Sequence, residues 1–173
     1  MTQAIEAVFA TDGSPDAILE ALMPVMCAEM DCDRCVFFPR NPATGKWAMT
    51  HGWQVRPEYA LKSPMHAWSL PAEDEGEVDP MYAQAMKSLE VFYVSDVFEE
   101  AGDVVNAQFG IDTYGNRALA HAPIYHEGRY YGLIEPCTAE RPHPWTDEQR
   151  RLVARTLELL GPVVAAYVAE FGE

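Results

Sequence analysis

The chain has 173 residues, 49% hydrophobic and 23% charged. That is about one domain's worth of chain with enough apolar content for a core, and it excludes disorder and fibrous repeats. Its 12 basic and 27 acidic residues give a formal net charge of -15, so phosphate backbones and anionic membranes repel it, and neither nucleic acid nor a membrane is expected as a partner.

The N-terminus, MTQAIEAVFATDGSPDA, has no basic stretch followed by an apolar run, and no apolar run approaches the roughly 18 residues of a membrane span. A cytoplasmic address with reduced thiols is the expectation. Residues 1–13 read as an N-terminal extension. Ser14-Pro15-Asp16 then supplies a capping residue, a first-turn proline and a first-turn acid, which predicts a helix over AILEALMPVMCAEM, kinked at Pro24. Residues 35–40 and 46–53 read as two strands of a hairpin around Asn41-Pro42-Ala43-Thr44-Gly45. Residues 54–78 hold prolines 57, 64 and 71, Trp68 and the acidic PAEDEGEVD tract, and without a consistent period they read as a long loop.

Asp79-Pro80 predicts a short helix over MYAQAMKSLE, followed by a strand at residues 91–94 and a second short helix at 103–114. Residues 117–125 and 130–138 flank His126-Glu127-Gly128-Arg129 and form the clearest hairpin signal. Thr146-Asp147-Glu148-Gln149 satisfies a capping box and opens a long C-terminal helix, which Gly161-Pro162 should bend. This order implies an α+β fold: one antiparallel sheet with the terminal helices on one face and the connecting segments on the other.

Three stretches then carry a resemblance: Asp33-Arg34-Cys35-Val36-Phe37 after the first helix, VSDV at residues 94–97, and above all APIYHEGRYYGLIEPCTAERPHPWTDEQRRLV at residues 122–153. In order and spacing they resemble a GAF domain over residues 14–173, similar in particular to cyanobacterial stand-alone GAF proteins related to bilin-binding photoreceptors. The resemblance implies a sensory or small-molecule pocket between sheet and connecting segments, often in a dimer paired through the terminal helices. Bilin-linking members carry a cysteine before the penultimate strand. Here that segment is NAQFGIDTYGNRALAHAP, without cysteine, so covalent bilin is not expected there; the Asn-Lys-x-x-x-Phe-Asp-Glu pattern of cyclic-nucleotide members is also missing.

Cys27-x4-Cys32-x2-Cys35 matches the spacing of plant-type iron–sulfur ligands, but the intervening residues lack glycine and serine; core or surface thiols are expected, and no metal. Some GAF proteins of this size reduce methionine sulfoxide with pocket cysteines. The pattern does not transfer, although the resemblance would set the strands of Cys35 and Cys137 side by side as a testable thiol pair. No motif names a reaction.

Pocket composition depends on the register of the last hairpin. A three-residue loop with Tyr125 facing Arg129 puts Tyr131, Leu133, Glu135 and Cys137 with His121; a two-residue Glu127-Gly128 turn puts Gly132 and Ile134 there instead. The first is preferred, because alanines 118, 120 and 122 with Gly132 then make a smooth face for the helices. The candidate ligand-binding residues are accordingly Trp68, Phe109, Tyr114, His121, Tyr131, Glu135 and Cys137, with Glu135 alternatively pairing Arg117, and with the aromatics alternatively filling the pocket themselves. The ligand itself is left open. Val153, Val163, Val168 and Phe171 exceed what the sheet can cover and suggest a homodimer through the terminal helices, with a monomer whose first helix covers the excess as the alternative. Eleven acids against the single base Lys87 between residues 70 and 112 read as a solvated face or a docking surface for a basic protein partner.

Overall fold

A computed structural model describes residues 2–62, 64–100, 102 and 105–172. Five antiparallel strands, β1 (Arg34–Pro39), β2 (His51–Gln54), β3 (Phe92–Val94), β4 (Ala118–His126) and β5 (Arg129–Thr138), form one sheet in the order β2-β1-β5-β4-β3. Helices α1 (Thr2–Phe9), α2 (Pro15–Glu29) and α6 (Asp147–Phe171) cover one face; α3 (Glu75–Val78), α4 (Pro80–Ala85) and α5 (Ala107–Tyr114) belong to the connecting segments.

The helix starts follow from local chemistry. Ser14 Oγ accepts from the Ala17 amide at 3.2 Å, Asp79 caps α4 through the Tyr82 amide, and Thr146 with Gln149 closes the reciprocal capping box of α6. α2 continues through Pro24 and α6 through Pro162, so neither proline ends its helix. The second connecting helix starts at Ala107, later than expected, and the first residues assigned to it, 103 and 104, lie outside the described residues.

Side chains alternate across the sheet. Cys35 and Phe37 of β1, Ala118, Ala120, Ala122 and Ile124 of β4, and Ile134 of β5 join Leu19, Leu22, Met26, Leu152, Leu160, Val164 and Tyr167 in the main core. The alanines let α6 approach: a Cβ on Gly161 would come within 2.9 Å of the Tyr125 carbonyl oxygen. The segment read as an extension is α1, whose Ile5 and Val8 enter the same core. Val153 and Val168, expected to be surplus, are buried there too. By length and composition α6 would be apolar enough for a membrane span, at mean hydropathy 1.5, which run length alone did not suggest; in the fold its apolar stripe lies against the sheet and α2.

The last hairpin corrects the preferred register. Tyr125 pairs with Tyr130 and His126 with Arg129 across a two-residue turn, with Glu127 and Gly128 at φ 48 and 74, the twist-compatible geometry for such turns. The register then shifts beyond Pro123. Tyr131 and Gly132, the latter at φ 112, together oppose Ile124 as a bulge. The bulge restores the parity that a three-residue loop would have given, so His121 shares its face with Leu133 and Glu135 but with Tyr130 in place of Tyr131. Gly132 accordingly belongs to the bulge and not to the smooth helix-facing surface. The first hairpin also differs: after His51–Gln54 the pairing thins to Arg40 with Trp47, while Trp47 and Met49 are bridged by Ser69 and Met65 from the long loop.

Candidate functional site

On the face away from the terminal helices, the sheet holds a buried polar chain. Arg34 of β1, 5% exposed, donates to the Tyr59 and Tyr114 carbonyl oxygens at 2.7 and 2.6 Å and to Asn116 Oδ1 at 2.5 Å. Asn116 Nδ2 donates to Glu135 Oε1 at 2.8 Å, and Glu135 Oε2 lies 3.0 Å from His121 Nδ1. A carboxylate at Nδ1 requires the proton there, so Nε2 of the neutral ring is an acceptor. That atom is buried without a partner.

His121 and Glu135 form the buried floor of a cavity of about 40 Å³ between β4, β5 and the connecting segments. Phe38 and Arg40 from the end of β1, Trp47, Glu75, Asp79, Tyr82, Tyr114 and Tyr130 complete the lining. Arg40 Nε, Trp47 Nε1 and the Tyr82 hydroxyl are likewise buried without hydrogen bonds. A second cavity, of about 20 Å³, shares Asp79, Tyr114, His121 and Glu135. The first has room for about three waters. Burial holds the Asp79 carboxyl above its ordinary range, opposed by His121, and it does the same for Glu75. Burial is also the main reason that the Tyr82, Tyr114 and Tyr130 hydroxyls are harder to ionise than usual.

Of the residues expected from sequence, His121, Glu135 and Tyr114 come together here, and Phe109 lines the second cavity with its ring 5.7 Å from that of Tyr114. Trp68 and Tyr131 do not line the site. Both pack against the helix-side core, Trp68 because the long loop folds around the sheet edge and Tyr131 because the bulge reverses it. Cys137 is on the same face as His121 and Glu135 but beside the cavity rather than in its lining, among Leu119, Met81, Val94, Val97 and Val105, where burial pushes its thiol up to about 12. Arg34 pairs with Cys137 and Cys35 with Pro136, so Cys35 and Cys137 point to opposite faces and cannot meet across adjacent strands. Burial also raises Cys35, and a hydrogen bond to Cys27 followed by burial raises Cys32. Glu135 does not pair with Arg117, which makes a bidentate bond to Asp96 at 2.8 and 2.6 Å and stacks on Phe98.

Sequence reasoning missed Arg34, Arg40, Trp47, Glu75, Asp79, Tyr82, Asn116 and Tyr130. For Arg34 a signal existed: a cation in the otherwise apolar strand RCVFFP needs buried acceptors. Glu75 and Asp79 were hidden inside a tract that reads as solvated surface.

The chain belongs to the GAF domain family, whose model matches residues 14–163. A sequence search among curated proteins gave no match. Among solved structures the fold is similar to the phycocyanobilin-bound GAF domain of a cyanobacterial phytochrome, with 15% identity, TM-score 0.73 and coverage of 99% of this chain and 96% of that one. It is also similar to the GAF domain of a phosphoenolpyruvate-protein phosphotransferase from Acinetobacter, at 12% identity, TM-score 0.70 and 99% and 93% coverage. GAF3 of Slr1393 from Synechocystis, in its photoproduct state, aligns with 18% identity, TM-score 0.69 and 92% and 100% coverage.

Proposed function

We propose that this GAF domain is a non-enzymatic, cytoplasmic sensory module that binds a small molecule non-covalently in the cavity above His121 and Glu135. The observation that carries the reading is the convergence of unpartnered polar atoms: His121 Nε2, Arg40 Nε, Trp47 Nε1 and the Tyr82 hydroxyl all belong to residues lining one cavity. Unpaired buried polar groups cost about 1–3 kcal/mol each, and a ligand that meets them removes that cost. The absence of cysteine from residues 106–123 speaks against covalent bilin, and the opposed faces of Cys35 and Cys137 speak against a thiol reductase.

The second reading is an interaction protein whose pocket is filled by its own side chains; the small volume of about 40 Å³ favours it. A homodimer through the terminal helices now rests on the exposed Phe171, and a basic partner on the acidic tract.

Native mass spectrometry of the natively purified protein, beside an absorption spectrum, separates these readings. Bound mass that is lost on denaturation, leaving the chain at its bare mass, supports the sensor. A colourless protein at its bare mass, dimeric and without ligand-dependent stabilisation, supports the interaction protein.

A further inference from the structure

The cavity holds charges of both signs that make no ion pair. Among the described residues Arg40, Glu75 and Asp79 appear in no salt bridge, whereas Asp16, Asp96 and Glu135 each have a cationic or histidine partner. The two signs lie close together, because Arg40, Glu75, Asp79, Tyr82 and His121 all line the one cavity of about 40 Å³. Arg40 Nε and Trp47 Nε1 can only donate, and the Tyr82 hydroxyl can donate as well. His121 Nε2, with Nδ1 held by Glu135, can only accept while the ring is neutral.

We infer that the cavity takes a small zwitterion of the amino-acid type, an inference that rests on the small-molecule reading above. The carboxylate of the ligand accepts from Arg40, Trp47 and Tyr82, and its ammonium donates to Asp79 and His121 Nε2. An anion alone would face Glu75, Asp79 and Glu135 and leave the His121 acceptor empty. A cation alone would face Arg40 and leave the three donors empty. Two adjoining cavities of about 40 and 20 Å³ that share Asp79 and His121 restrict the side chain to a very short one.

Glycine and L-alanine are the probes, with acetate and methylammonium as the single-charge controls, each titrated at millimolar concentration by calorimetry and thermal melting. Saturable binding of a zwitterion with no response to either control is expected. D79N should weaken that binding by about ten- to a hundredfold, the worth of a charged hydrogen bond, while its amide still caps α4. R40Q should do the same from the other end, and circular dichroism checks that both variants fold. Acetate or methylammonium binding as well as glycine overturns the inference, as does glycine stabilisation that persists in D79N and R40Q as a solvent effect would. A different molecule co-purifying with the wild type and lost from H121A overturns the zwitterion but leaves the sensor reading. Bare mass with no response to any probe overturns both.

Discussion

Arg34 shows how one residue organises this site. Its guanidinium ties the 3-10 turn Pro57–Tyr59, the end of α5 and Asn116 to the sheet, and through Asn116 it holds Glu135 and His121 in place. Arg34→Met keeps the length but leaves two carbonyl oxygens and an amide oxygen unpaired. At about 1–3 kcal/mol for each buried unsatisfied group, the loss should be about 3–5 kcal/mol in urea unfolding; a loss below about 1 kcal/mol would show that water reaches these groups. Gly132 is constrained differently. It sits at φ 112, and a Cβ there would meet the Phe38 carbonyl oxygen and come within 2.7 Å of Pro39 Cα, backbone that cannot swing aside. Gly132→Ala should therefore cost at least about 3 kcal/mol or abolish folding. Gly110, inside α5 with open space around it, is the control, and Gly110→Ala should gain up to about 1 kcal/mol.

Among the elements, α1 and the last hairpin depart most from the sequence reading. TQAIEAVF is too short to form a stable helix alone; it is helical because Ile5 and Val8 find the core of α2 and α6, with Glu6 bonded to Arg155 at 3.2 Å. Removing residues 1–11 should lower stability by about 2–4 kcal/mol, from the apolar burial lost less the ordering entropy regained. Light scattering of the same truncated chain reads whether the uncovered surface recruits a second copy. An unchanged urea midpoint would mean that α1 does not stay docked in solution. In the hairpin, sequence located the turn within His126-Glu127-Gly128-Arg129 and marked His121 and Glu135 as cavity residues, but favoured a three-residue loop over the two-residue Glu127-Gly128 turn that forms. It could not show that a bulge at Tyr131-Gly132 would exchange Tyr131 for Tyr130, since a bulge depends on how β5 passes β1 at Pro39.

For the whole molecule, the pH response has a definite sign. His51 and His143 are both held below the ordinary imidazole value, chiefly by burial; Asp16 opposes the shift at His51 and Gln149 opposes it at His143. A histidine with a depressed native pKa binds its proton more readily when unfolded, so stability is full above about pH 6.5 and falls as pH drops below the unfolded value. Asp79 and Glu75, held high by burial, act oppositely: their stabilisation is present at acid pH and is lost as pH rises through their native values. Urea unfolding at a series of pH values should therefore show stability falling from pH 6.5 towards 5, and less steeply in His51→Gln. A flat wild-type profile would mean that both His51 and His143 are hydrated.

What the sequence determined by itself was the set of features that local chemistry controls. Caps at Ser14, Asp79 and Thr146 begin three helices, a glycine turn within His126-Glu127-Gly128-Arg129 closes the last hairpin, and alternation along β4 separates its alanines from His121. Tertiary structure decided which distant residues share the space above that face. Arg34, Arg40, Asp79 and Tyr82 come from β1, its end, a cap and a short helix, and they meet only because the long loop folds back over the sheet. Charge and hydropathy along a chain report average exposure; whether an acid such as Asp79 faces solvent or a cavity depends on what the fold brings opposite it.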